Sequence, residues 1–338
     1  MRCGIVFTIL LFGVVGPSVV AASCVYPGTQ GKVTDYYTGP LIDTHLHIPS
    51  PEDSNNGNPV LWQDMSMKDI ACTLKQEGTK SAFAFFPIYV GSPLDEFYLA
   101  AERAQAKYPD LFVRFINPPG KQSGVPTVTA NRLKKLLKGH DGLFQGYGEI
   151  ALYGHDGEAV NPYHPNAEIF LEIYTVVNKR KLLVYFHPGV DQLDSFAEVL
   201  AQYPDVNFIV HGEQIEQQVG DLMDDYPNIY FTVNDLYGDQ YLLHQNETSQ
   251  SFLDKTDDYE TLLQQDLATW QAVIEAHPDQ FLWGTDRGGV AAWTLNKKVG
   301  RRLADYGRAF IARLDPAVQE NFAYKNAQAL VDSTTTNE

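Results

Sequence analysis

The chain has 338 residues, a formal net charge of −17, and 44% hydrophobic content. That hydrophobic share excludes a disordered chain, and the length allows one large core or two modest domains. The acidity, with no basic run and no aromatics interleaved with Lys and Arg, excludes a nucleic-acid partner.

The chain begins with Arg2, the apolar run IVFTILLFGVVGPSVV and the small residues Ala21, Ala22 and Ser23. Residues 1–23 read as a secretory signal peptide, too short for a membrane span, and point to a periplasmic or secreted protein. Removing them takes away Arg2 and no acid, which moves the charge from −17 to −18. The ending AASC also resembles a lipoprotein signal, with Cys24 as the lipidated N-terminus, although Leu usually stands where Ala21 does. Once Cys3 is gone, Cys24 and Cys72 remain. Either they pair in an oxidising compartment, or Cys24 carries a lipid anchor and Cys72 is a buried thiol. Residues 24–37 read as a tether or irregular arm, 38–332 as one domain and 333–338 as a tail.

LIDTHLHIP, Leu41 to Pro49, reads as the first strand, with His45 and His47 on one face and Asp43 two residues earlier. Two imidazoles on one rigid strand can share a divalent metal. The polar stretch Pro49 to Asp64 is a loop. Helices are expected over Met67–Glu77 (stopping at Gly78), Asp95–Lys107 (capped by Asp95), Val128–Lys138, Asn166–Lys179 and Phe196–Gln202. Strands two to six fall at Ser81–Phe86, Leu111–Ile116, Leu143–Tyr153, Lys181–Phe186 and Val206–Val210. The fourth carries Glu149; the fifth and sixth end in His187 and His211. A seventh strand, Ile229–Val233, precedes a loop or lid over Leu236–Asp258. A helix through Leu262 and Ile274 follows, then an eighth strand, Phe281–Gly284, ending in Asp286 and Arg287. Two amphipathic helices close the chain, from Val299 to Leu314 and from Pro316 to Leu330, the second capped by Asp315.

Eight continuously apolar strands alternating with helices fit a parallel sheet buried on both faces, either a closed barrel or an open doubly wound sheet. The candidate ligands decide between them. They stand at the C-terminal ends of strands one, four, five, six and eight, which ring one mouth only in a closed (β/α)8 barrel, the TIM barrel. Singly, His187 and His211 read as hydrogen-bonded strand ends, Asp286 as a cap and Glu149 as a partner for a base. Together with His45 and His47 they read as a metal site. His140, His155, His164 and His277 fall in apparent loops or helix ends and read as surface residues, while His244 lies in the lid. Arg287 either clamps a substrate carboxylate or phosphate at the mouth or pairs with an acid.

The contexts DTHLH, FHPG, VHGE and GTDRG, with the closing NFAYKNAQALV around Asn326-Ala327, resemble the amidohydrolase superfamily, and within it the amidohydrolase-2 family, over about residues 38 to 332. The resemblance implies that His45, His47 and Asp286 bind one metal. It also implies that His187 and His211 hold a second, or that His187 completes a one-metal site while His211 assists the chemistry. Glu149 stands where other members carry a carboxylated lysine, as in members whose glutamate bridges two metals, a deoxyribonuclease branch among them. Zinc is the expected ion; manganese, iron and nickel suit the same ligands. Such a centre lowers the pKa of a water from about 15.7 toward about 7, with Asp286 taking its proton and the metal or His211 polarising a carbonyl. The expected activity is hydrolysis of a small ester, lactone or amide. The alternatives are a non-oxidative decarboxylase, which needs a cation such as Arg287, and a barrel that binds metal or ligand without turnover.

Overall fold

The computed structural model describes residues 24–29, 32–49, 66–89, 91, 94–120, 124–152, 163–234, 236–237, 248–289 and 292–334. The signal-peptide reading, nearly all of the loop after the first strand, much of the lid, His155, His244 and residues 335–338 lie outside them.

The eight strands are β1 (Leu41–His47), β2 (Thr79–Pro87), β3 (Phe112–Asn117), β4 (Gly146–Ala151), β5 (Leu183–His187), β6 (Phe208–Val210), β7 (Ile229–Val233) and β8 (Phe281–Trp283). Each pairs in parallel with the next, in the order β1 to β8, which makes a TIM barrel. The helices are α1 (Met67–Glu77), α2 (Leu94–Lys107), α3 (Ala130–Leu137), α4 (Glu168–Arg180), α5 (Leu193–Gln202), α6 (Val219–Asp225), α7 (Ser249–Lys255), α8 (Tyr259–Ala276), α9 (Lys297–Ile311), α10 (Pro316–Glu320) and α11 (Asn326–Ser333). β8 returns to β1 through a single bridge, Leu46 to Arg287, in which the His47 N–H donates to the Arg287 carbonyl at 2.7 Å. The Thr44 hydroxyl adds a bond to the Trp283 carbonyl at 2.9 Å.

The strands are buried on both faces, so they are apolar throughout. Ile42, Phe83, Phe85, Phe115, Tyr185 and Leu282 fill the barrel interior, and Ala327 and Leu330 of α11 pack against this cluster. The amide of Asn326 donates to the Pro278 and Phe281 carbonyls, both at 2.9 Å, which fixes α11 beneath the entry of β8. The opposite, C-terminal end of the strands carries the site.

Local signals set the helix ends. Ser66 and Asp69 form a capping box at the start of α1, and Gly78 ends that helix at φ 74°, where a side chain would be strained. Asp315 caps α10 as expected, accepting from the Ala317 N–H at 2.8 Å. Asp95, by contrast, lies inside α2. α6 and α7 were not expected; each is a single buried stripe, Val219, Leu222 and Met223 in α6, and Phe252 in α7. The closing helix is broken by a π turn at Asn321–Lys325, which buries Phe322 and Ala323.

The arm is irregular and packed. Cys24 and Cys72 form a disulfide that ties it to α1, and Tyr26 lies between the Arg301 and Arg308 guanidinium groups, 5.4 and 5.0 Å from its ring centre. Asn326→Ala removes the donor for the buried Phe281 carbonyl and the half-buried Pro278 carbonyl, so it should destabilise the fold by about 1–3 kcal/mol. Urea unfolding at neutral pH measures this.

Candidate metal centre

β1 supplies two donors because its pairing with β2 shifts register between Asp43 and Leu46. Strict alternation would put Asp43 on the face of His45 and His47. The shift instead leaves Ile42 and His45 facing inward and turns Asp43 out toward α1. There Asp43 Oδ1 accepts from the His45 N–H at 3.1 Å and the Thr285 N–H at 3.0 Å, while Oδ2 accepts from the Thr285 hydroxyl at 2.6 Å. Asp43 orients the ligand strands and is not itself a donor to the centre.

The mouth brings together every residue expected to bind metal. His45 Nε2 lies 3.1 Å from His47 Nε2, 3.0 Å from Asp286 Oδ1 and 3.7 Å from Glu149 Oε2. His47 Nε2 lies 3.3 Å from Asp286 Oδ1 and 3.5 Å from Glu149 Oε2. Four donors about 2.0–2.2 Å from a tetrahedral ion stand about 3.3–3.6 Å apart, and these separations, 3.0 to 3.7 Å, lie around that spacing. The other oxygen of Glu149, Oε1, faces a second group: His211 Nε2 at 2.7 Å and His187 Nδ1 at 3.3 Å. Glu149 thus has one oxygen in each cluster, the geometry of a bridging carboxylate.

The sequence offered no signal for Gln214. Its Oε1 accepts from His187 Nε2 at 2.9 Å, while its Nε2 donates to Glu213 at 3.3 Å. That acceptor holds a His187 proton on Nε2 and orients the ring with Nδ1 toward Glu149. Gly212, at φ 106°, makes room: a Cβ there would lie 2.3 Å from His187 Nε2. Asn234 Nδ2 donates to Asp286 Oδ2 at 3.4 Å. Asp286 itself has φ 48°, the left-handed region that Asp tolerates better than most residues and that recurs at functional sites. The floor is aromatic, with Phe85 and Tyr185 about 5 Å from the His45 ring.

Electrostatics favour a cation here. Burial alone would raise the carboxyls of Glu149 and Asp286, but the surrounding imidazoles hold both well below the usual carboxylate range. Burial, with His187 and His45 facing it, pushes His211 down to about 4, so it is neutral. Burial would lower His187 as well, but the hydrogen bond and charge of Glu149 outweigh it and the imidazole is raised.

Arg287 corrects an expectation. It does not face the mouth: its Nη1 donates to Glu77 Oε1 at 2.8 Å and its Nη2 to Asp43 Oδ2 at 3.0 Å, with its side chain 3% exposed. The pairing reading holds and the clamp reading falls, because two buried carboxylates already take up the charge. Of the other histidines, His140 stacks on Tyr98, His164 Nδ1 lies 3.5 Å from the Ser195 hydroxyl, and His277 Nε2 lies 3.9 Å from Asp224, all away from the centre.

A TIM barrel with a histidine and carboxylate cluster at its C-terminal mouth defines a metal-binding barrel protein. Residues 42–332 match the amidohydrolase family model of the amidohydrolase-2 type, so the chain belongs to that metal-dependent family, whose members act on small molecules. No curated protein sequence matches the chain. Among solved structures it is similar to a probable 2-pyrone-4,6-dicarboxylic acid hydrolase from Acinetobacter baumannii with citric acid bound (15% identity, 86% of this chain and 99% of that one, TM-score 0.55). It is also similar to an amidohydrolase from Burkholderia multivorans with bound zinc (12%, 87% and 99%, 0.54). A third is 4-oxalomesaconate hydratase from Rhodopseudomonas palustris (14%, 87% and 96%, 0.52). At these identities the likeness shows the fold.

Arg287→Ala should leave Asp43 and Glu77 buried and unpaired and cost about 3–5 kcal/mol of stability. Urea unfolding reads the loss; a change in KM alone, with stability intact, would restore the clamp.

Proposed function

We propose that the protein is an exported hydrolase that uses one or two divalent ions, zinc first among them, to cleave a small ester, lactone or amide. The observation that carries this reading is Glu149, with one oxygen among His45, His47 and Asp286 and the other between His187 and His211. When bound, the metal supplies Lewis acidity and lowers the pKa of a water toward about 7. Asp286, ionised and held by Asn234 through Oδ2, keeps Oδ1 toward the donors, where it can take a proton and return it to the leaving group. His211, neutral and edge-on between the clusters, orients the scissile carbonyl. Phe85 and Tyr185 exclude water from below, which strengthens each polar contact above them. Zinc is favoured by the His, Asp and Glu donor set and by its presence in the Burkholderia relative.

Decarboxylation would call on a cation for the substrate carboxylate. Arg287, the residue suited to that task by sequence, is committed to Asp43 and Glu77, which weighs against the reaction. Export is supported by the Cys24–Cys72 disulfide, since such bonds persist in oxidising compartments. A sulfur in a disulfide has no valence left for a thioether-linked lipid, so the form proposed is a periplasmic or secreted protein without an anchor at Cys24. No helix among the described residues is long and apolar enough to cross a membrane.

Elemental analysis of the mature protein should find two ions per chain, falling to one or none in Glu149→Ala. A single ion indifferent to that change would return the one-metal reading. Asp286→Asn should cut turnover of an ester and lactone panel by about 10²–10⁴-fold with the fold intact. A near wild-type rate would remove Asp286 from proton transfer.

A further inference from the structure

Of the eight strands, β1, β4, β5, β6 and β8 deliver metal donors at or just past their C-terminal ends. β2 ends in Pro87, whose side chain makes no hydrogen bond. β7 leads into Asn234, whose amide is turned to Asp286. That leaves β3, which ends in Asn117.

β3 pairs with β2 residue by residue from Phe112 to Asn117, with no shift of register, so alternation holds along it. Val113 and Phe115 face the barrel interior, while Phe112 and Ile116 belong to the outer core. Asn117 therefore stands on the inward face, one step above Phe115. The Phe115 ring lies 5.3 Å from Phe85, and Phe85 lies 5.2 Å from the His47 ring, so Asn117 shares the aromatic floor of the metal donors. Beside it, β4 runs from Tyr147, the partner of Ile116, to Glu149.

Asn117 is 7% exposed. Its main-chain carbonyl accepts from the Ile88 N–H at 2.9 Å, but its carboxamide makes no hydrogen bond among the described residues. The side-chain atoms are absent from the set of fully enclosed orphan atoms that includes Asn234 Oδ1, so they keep some surface. A nearly buried carboxamide without a partner is costly, and here a molecule entering the mouth can supply one.

Charge narrows what that molecule is. The connections that leave the C-terminal ends of the strands hold twelve acids and two bases, Lys121 and Arg287. Arg287 is committed to Asp43 and Glu77, and Lys121 lies outside the described residues. A substrate carboxylate would meet this surplus of negative charge. Asparagine donates and accepts without charge, which suits a hydroxyl or an amide.

We propose that Asn117 is a specificity-determining residue, and that the substrate is an uncharged ester, lactone or amide with a hydroxyl or amide group beside its scissile carbonyl, held by the Asn117 carboxamide. This rests on the hydrolase reading and names the substrate class of the same centre.

Three hydroxamates test it by isothermal titration against the mature, zinc-loaded protein: propionohydroxamate, its 3-hydroxy derivative and its 3-carboxy derivative. All three present the same metal-binding group and differ at the far end. The 3-hydroxy probe should bind about three- to tenfold tighter than propionohydroxamate, and the 3-carboxy probe more weakly than either. Asn117→Ala breaks no side-chain hydrogen bond of the fold. It should keep metal content and propionohydroxamate affinity, and bring the 3-hydroxy probe down to the level of propionohydroxamate. A hydroxyl advantage that survives in Asn117→Ala overturns the proposal, as does a 3-carboxy probe that binds as tightly as the 3-hydroxy one. Either result, with propionohydroxamate still bound, leaves the hydrolase reading standing; failure of all three probes to bind removes both.

Discussion

The structure depends on one guanidinium. A parallel barrel must bring its last strand back to its first, and here β1 and β8 share a single bridge in place of a ladder. Arg287 fills the gap: its main chain accepts from His47, and its side chain joins Asp43 of β1 to Glu77 of α1. Thr285 completes the seam by donating to Asp43 from 242 residues away in sequence. Three buried charges are costly to desolvate, and their net contribution to stability is small. What they provide is position. The same contacts that close the barrel set the backbone of His45 and of Asp286, the donors that come from opposite ends of the chain.

That position matters because the centre would otherwise repel itself. Two ionised carboxylates and four imidazoles converge above an aromatic floor that offers them no hydrogen bonds, and His45 Nδ1 is buried without a partner. Burial opposes ionisation at Glu149 and Asp286, and the charge and hydrogen bonds of the neighbouring imidazoles reverse it. In such a pocket a divalent ion would be the natural counter-charge. The left-handed backbone of Asp286 belongs to the same trade, local strain held in place by a rigid frame.

Much of this was legible in the sequence. Strands buried on both faces read as plain apolar runs, and a strand that delivers a ligand to the mouth must end in it, so His187, His211 and Asp286 announced themselves by place as much as by type. Asp43 and Arg287 did not. The first was misplaced because a register shift breaks the alternation on which face assignment rests, and nothing in LIDTHLH marks it. The second was ambiguous because its partners, Asp43 and Glu77, lie 244 and 210 residues away. Gln214 was silent for a similar reason: a carboxamide in a loop acquires meaning only through the imidazole it meets. The short helices α6 and α7 have too few turns for a periodic signal, and the π turn near the C-terminus leaves the apolar pattern intact while changing the hydrogen bonds beneath it.

The arm before the barrel gains a role from the same seam. Glu77, which anchors Arg287, is the last residue of α1, and the disulfide at Cys72 ties that helix to the arm. One residue on, Gly78 is where the arm and α9 meet: a Cβ there would lie 2.7 Å from the Arg308 guanidinium and 3.2 Å from the Tyr26 ring. Arg308 in turn donates to the carbonyls of Tyr37, Gly39 and Gly78. Arm, α1 and α9 therefore form one clasp where β1 and β2 begin, at the end of the barrel opposite the mouth that holds the metal donors. A segment that composition marks only as irregular braces the strand that carries the first two ligands.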